Sequence, residues 1–200
     1  SQPRYAGAMT STSIELIEFT TGGDSAAQPV ASIVVLHGLG ADGGDFVPIA
    51  QAMDMSAIGP VRFVFPSAPV RPVTINGGYQ MRAWYDIYPP GHDPAVPRRE
   101  DGPGLRESQA IVQQLLDREV QRGVPADRMV LMGFSQGCAM TLLAGLRAPQ
   151  RLAGLAALSG YLPLADQTGA EISDANRGLP VFMAHGAFDD VVVPQRGAGA

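Results

Sequence analysis

Lysine is absent from this sequence, and all 14 basic residues are arginine. They form no run, and the 200-residue chain carries a net charge of −5. A phosphate backbone is bound by a dense Lys/Arg face, so nucleic acid is excluded as a partner. The lysine gap reads as a genome-composition bias and marks no site. There is one cysteine, Cys138, so neither an intrachain disulfide nor a cysteine-based zinc site can form. One thiol suits a reducing cytoplasm, which is the expected location. No apolar run reaches the roughly 18 residues of a membrane span. The start, SQPRYAGAMTSTS, lacks the apolar core of a signal peptide. Met9 is a candidate natural start, and residues 1–12 are expected to be flexible or foreign to the natural chain.

What is present is the composition of a globular domain, 46 % apolar and 16 % charged. The length fits one domain with a substantial core. Short runs are apolar on successive residues: Ile33-Val34-Val35-Leu36, Phe63-Val64-Phe65, Val130-Leu131-Met132, Leu155-Ala156-Ala157-Leu158 and Val181-Phe182-Met183-Ala184. Continuous apolarity means strands covered on both faces, as in a parallel sheet between helices. SIELIEF (13–19) alternates instead, which reads as an edge strand. Helical spacing appears over 104–122, which stops at Gly123 with Pro125 beyond, over 135–147, and over the shorter 46–53. Strands alternating with helices predict a single α/β domain with a doubly wound, mostly parallel sheet and helices on both faces. Residues 66–103 hold many Pro and Gly and no sustained period, so a lid-like loop is expected there.

Gly133-Phe134-Ser135-Gln136-Gly137 matches G-x-S-x-G, with a strand before it and a helix after. The reversal from strand to helix leaves room for no side chain two residues either side of the serine. Ser135 is therefore read as a nucleophile on a strained turn, above a helix N-terminus whose dipole favours developing negative charge. A nucleophile of this kind needs two N–H donors for the oxyanion. Gln136 is expected to give one, and Leu39, between Gly38 and Gly40 after a buried strand, the other. His37 is expected to brace that loop. His185-Gly186-Ala187-Phe188-Asp189-Asp190 follows a later strand, where the histidine-orienting carboxylate belongs, and Asp189 is preferred over Asp190. Trp84, Tyr85, Leu39 and residues of the lid-like loop are expected to line the acyl groove, with core packing an equal alternative for Trp84.

Five stretches together resemble the small carboxylesterase, acyl-protein thioesterase and lysophospholipase family of α/β-hydrolases, in its bacterial carboxylesterase branch. They are VVLHGLGADGGDF (34–46), RFVFPSAP (62–69), VTINGGYQMRAWYDI (73–87), DRMVLMGFSQGCAMTL (127–142) and HGAFDDVV (185–192). The resemblance implies cofactor- and metal-independent hydrolysis of carboxylic esters or thioesters, with lysophospholipids a further substrate class. It implies Ser135 as nucleophile, Asp189 as acid, and the N–H groups of Leu39 and Gln136 as oxyanion donors. The family's base is a histidine some thirty residues past the aspartate. This sequence ends at Ala200, so that histidine, the last strand and the last helix are expected beyond it. Tyr88-Pro89-Pro90-Gly91-His92 imitates the histidine motif but precedes the serine. Two other readings compete: a non-catalytic ligand-binding relative, and a hydrolase using Cys138 as nucleophile. A homodimer is compatible with the sequence, which holds nothing that argues for one.

Overall fold

The computed structural model describes residues 14–24 and 26–186. Residues 1–12 and Asp189 lie outside them.

Among the described residues, six strands form one sheet in the order β1-β3-β2-β6-β7-β8. They are β1 (Leu16–Thr21), β2 (Ala31–Leu36), β3 (Val61–Pro66), β6 (Met129–Phe134), β7 (Gly154–Leu158) and β8 (Val181–Ala184). All pairs are parallel except β1–β3, so the alternating segment is an edge strand as expected, shifted to Leu16–Thr21. Helices α1 (Val47–Ala52), α2 (Gly102–Gln121), α3 (Gln136–Arg147) and α4 (Ala165–Glu171) complete the layers. No helix among the described residues is long and apolar enough to cross a membrane.

Alternation along the central strands divides the core in two. Val34 and Leu36 of β2 join Leu131, Leu155 and Ala157 beneath α2 and α3, where Val112, Leu116, Met140 and Leu143 fill the layer. Ile33 and Val35 point the other way, toward Phe63, Phe65, Met55 and Ala50 of α1. This is how a run apolar at every residue is used: each side chain meets a covered face. β8 departs from that expectation. Val181, Phe182 and Met183 are 37 %, 66 % and 40 % exposed. β8 pairs with β7 on one side only, and its apolar run is not a buried one in the described structure.

The expected loop at 66–103 is also corrected, because much of it is ordered by pairing. Strands β4 (Val70–Val73) and β5 (Tyr79–Arg82) form an antiparallel hairpin within it. The turn between them uses two left-handed glycines, Gly77 and Gly78, which a sequence period cannot reveal. Residues 102 and 103 already belong to the start of α2. Asp101 caps that helix by accepting from the Gly104 N–H at 3.0 Å, with Pro103 in the first turn. The helix ends where Gly123 turns left-handed (φ 92°) and the Val124 N–H reaches back to the Glu119 carbonyl at 3.0 Å.

Register decides what meets at the site. Leu36 of β2 stands opposite Gly133 of β6, Phe134 opposite Leu158, and Leu158 opposite Ala184. The carboxyl ends of four strands are thereby level, and the segments following them emerge side by side.

Candidate active site

β6 passes into α3 through Ser135, whose φ of 55° and ψ of −114° lie outside the regions open to ordinary L-residues. The glycines flanking it are dictated by backbone. A Cβ at Gly133 would collide with the Gly137 carbonyl, and one at Gly137 with the carbonyls of Leu36 and His37. A serine at the start of a helix ordinarily spends its oxygen on an N–H of the first turn. Ser135 makes no such side-chain capping bond, and the residue is half-buried. The hydroxyl is held at a helix N-terminus and has no hydrogen-bond partner among the described residues.

Gly38 lies beside it, with a hypothetical Cβ there 3.5 Å from the Ser135 Cβ. The loop from His37 to Gly40 thus borders the nucleophile turn. Gly40 anchors it to the hairpin by donating its N–H to the Arg82 carbonyl at 2.8 Å. Neither the Leu39 nor the Gln136 N–H is paired with an acceptor among the described residues.

His37 is 1 % exposed. Its Nε2 accepts from the Ala68 N–H at 2.9 Å, so Nδ1 carries the proton and donates to the Gly38 carbonyl at 2.7 Å. Burial pushes its pKa below the usual histidine range, and both nitrogens are occupied. It braces the loop, as expected. His92 is exposed in the segment after Asp86, and His185 is half-buried at the end of β8. Asp189 follows the same strand end, outside the described residues.

Cys138 is buried on α3, and burial pushes its thiol up to about 12. It is no nucleophile at neutral pH.

Trp84 does not line a groove. It is fully buried, its N–H donating to Gln136 Oε1 at 2.7 Å and its indole N–H to the His37 carbonyl at 2.9 Å. Burial leaves no polar group of Trp84 unmet, since its carbonyl also accepts from the Ser108 hydroxyl. Sequence reasoning missed the Gln136 side chain, which also donates from Nε2 to the Tyr85 carbonyl at 2.8 Å. It also missed Ser159, a second residue at positive φ (52°), whose N–H bonds to Ala184 O at 2.7 Å. A serine-glycine pair at a strand end was the available signal.

The phospholipase/carboxylesterase family model matches residues 21–198. The chain belongs to that family. Acyl-protein thioesterase 1 of Yarrowia lipolytica is 38 % identical over 167 residues, 83 % of this chain and 72 % of that protein. Acyl-protein thioesterase 1 of Neurospora crassa is 41 % identical over 170 residues, covering 83 % and 69 %. The crystal structure of Arabidopsis thaliana SOBER1 superposes with a TM-score of 0.74 at 31 % identity, over 84 % of this chain and 79 % of that one. This phospholipase/carboxylesterase family member is therefore a serine hydrolase of the esterase/thioesterase kind with the α/β-hydrolase fold.

Proposed function

We propose that this hydrolase cleaves carboxylic esters and acyl thioesters through an acyl-enzyme on Ser135. The observation that carries this reading is the Ser135 hydroxyl, without a side-chain capping bond among the described residues, on a backbone at φ 55°. Strain of that kind costs about 1–3 kcal/mol, and a protein that merely binds a ligand gains nothing from it.

A histidine takes the Ser135 proton while Asp189 fixes its tautomer. The oxygen attacks the carbonyl carbon, and the N–H groups of Leu39 and Gln136 receive the charge that develops. The protonated histidine gives its proton to the departing alcohol or thiol, and water then releases the acid. The base is a residue other than His37, whose nitrogens are both engaged. The relatives named as acyl-protein thioesterases favour thioesters among the substrates. The lone, buried cysteine fits action in a reducing cytoplasm.

The test is labelling with a fluorophosphonate followed by peptide mapping, beside rates on p-nitrophenyl esters and acyl-thiocholines of increasing chain length. Label on Ser135, lost in Ser135→Ala together with about 10⁴-fold or more of kcat, is expected. Label elsewhere overturns the assignment. Running residues 1–200 beside a chain extended past Ala200 locates the base, since activity in the short form alone places it on His92 or His185.

A further inference from the structure

Three parts of the site converge on Trp84, a residue with no exposed surface. Its N–H is held by the Gln136 side chain, which starts α3. Its carbonyl accepts from the Ser108 hydroxyl on α2. Its indole N–H reaches the carbonyl of His37, directly before Gly38 and Leu39. Gln136 completes its own amide on Tyr85, and His37 completes its ring on Ala68 and Gly38.

We propose that Trp84, the Gln136 side-chain amide and His37 form a buried brace that sets the spacing between the Leu39 and Gln136 N–H groups, making them positioning residues for acyl transfer. This rests on the reading of Ser135 and the two N–H donors given above. The need for a brace follows from where the donors sit. One is on the first turn of a helix packed against the sheet. The other is on a loop between two glycines, where the Gly40 N–H is held by the Arg82 carbonyl and the Leu39 N–H itself has no partner among the described residues. Useful donors stand about 2.7–3.1 Å from the oxyanion, a tolerance of a few tenths of an ångström. A tryptophan serving only as packing would satisfy its polar groups anywhere. Here the indole N–H and the peptide N–H are spent on the two donor-bearing segments, and a glutamine of one donor residue supplies the link.

Trp84→Phe keeps a buried aromatic ring and removes the indole N–H, at the cost of a small cavity where the second ring stood; Gln136→Met keeps the side-chain length and removes the amide. Each is assayed in the full-length enzyme on an ester and on its thiono counterpart, in which sulfur replaces the carbonyl oxygen. Sulfur accepts hydrogen bonds poorly, so the thiono ester draws little from the two N–H groups. Deleting one oxyanion donor costs about 10²–10³ in rate, so displacing one is expected to lower kcat on the oxygen ester about 10- to 100-fold. KM should hold within about threefold, and the oxygen-to-thiono rate ratio should fall about tenfold or more. An unchanged ratio, with equal loss on both substrates or with none, overturns the brace. Absence of Ser135 labelling in the unmodified enzyme overturns the underlying serine reading instead. Should Trp84→Phe fail to fold, Ser108→Ala, which frees only the Trp84 carbonyl, and Gln136→Met decide by the same ratio.

Discussion

At the scale of single residues, Ser135 holds its conformation because its neighbours two places away have no side chains to refuse it. Gly137→Ala would drive a methyl into the carbonyls of Leu36 and His37, which are backbone and cannot swing aside. Its expected cost is about 3 kcal/mol, a fall of roughly 6–12 °C in Tm by thermal unfolding, with esterase activity lost alongside. His37 predicts a pH dependence. Its folded pKa lies below the ordinary 6.5, so the unfolded chain binds the extra proton first as pH falls. The stability linked to His37 is complete above pH 6.5 and declines as pH drops below it. The direct check is a ¹⁵N NMR titration, in which the His37 ring titrates below 6.5 and its neutral form carries the proton on Nδ1. A ring that titrates at 6.5 would contradict the buried arrangement.

Among the elements, α2 carries more than its own turn count suggests. Asp101 caps it and, through its second carboxylate oxygen, accepts from the Asp86 N–H at 2.8 Å, tying the segment after Trp84 to the helix. Asp101→Ala is expected to cost about 1–2 kcal/mol, roughly 2–8 °C in Tm, and to raise protease cleavage between 86 and 100. The elements also show what a sequence can disclose. Strands β2, β3, β6 and β7 were legible because burial on both faces demands unbroken apolar runs. The turn at Ser135 was legible because only glycine survives at 133 and 137. The β4–β5 hairpin was hidden, since Val70-Arg71-Pro72-Val73 has no strand period and Pro72 argues against one. The depth of Trp84 was hidden too, because an aromatic beside an aromatic suits a pocket wall and a core equally until its hydrogen bonds are known.

Over the whole molecule, polar groups are buried at both ends of the sheet for different reasons. At the amino ends of β2 and β3, Glu119 is 1 % exposed at its side chain and accepts from Ser32 Oγ at 2.7 Å and Arg62 Nε at 2.8 Å. Glu119→Ala leaves Arg62 buried without its partner and is expected to cost about 3–5 kcal/mol in denaturant unfolding. The cluster is at the far end of the strands from Ser135, so kcat/KM of the folded fraction should be unchanged. Beside it, the Arg122 hydrogen bond is the main cause holding Glu18 down from 4.5 to about 2. A carboxyl lowered on folding stabilises above its unfolded pKa, and that contribution is lost as pH falls from 4.5 toward 2. Glu18→Gln should flatten this part of the acid-unfolding curve. Cys138 has a practical consequence at the same scale. With its only sulfhydryl sealed inside and no ε-amine anywhere in these 200 residues, the native protein should emerge from maleimide treatment at unchanged mass, whereas the urea-unfolded chain gains one adduct. A cysteine engineered onto the outer surface then becomes a unique attachment point for a dye or a surface linkage.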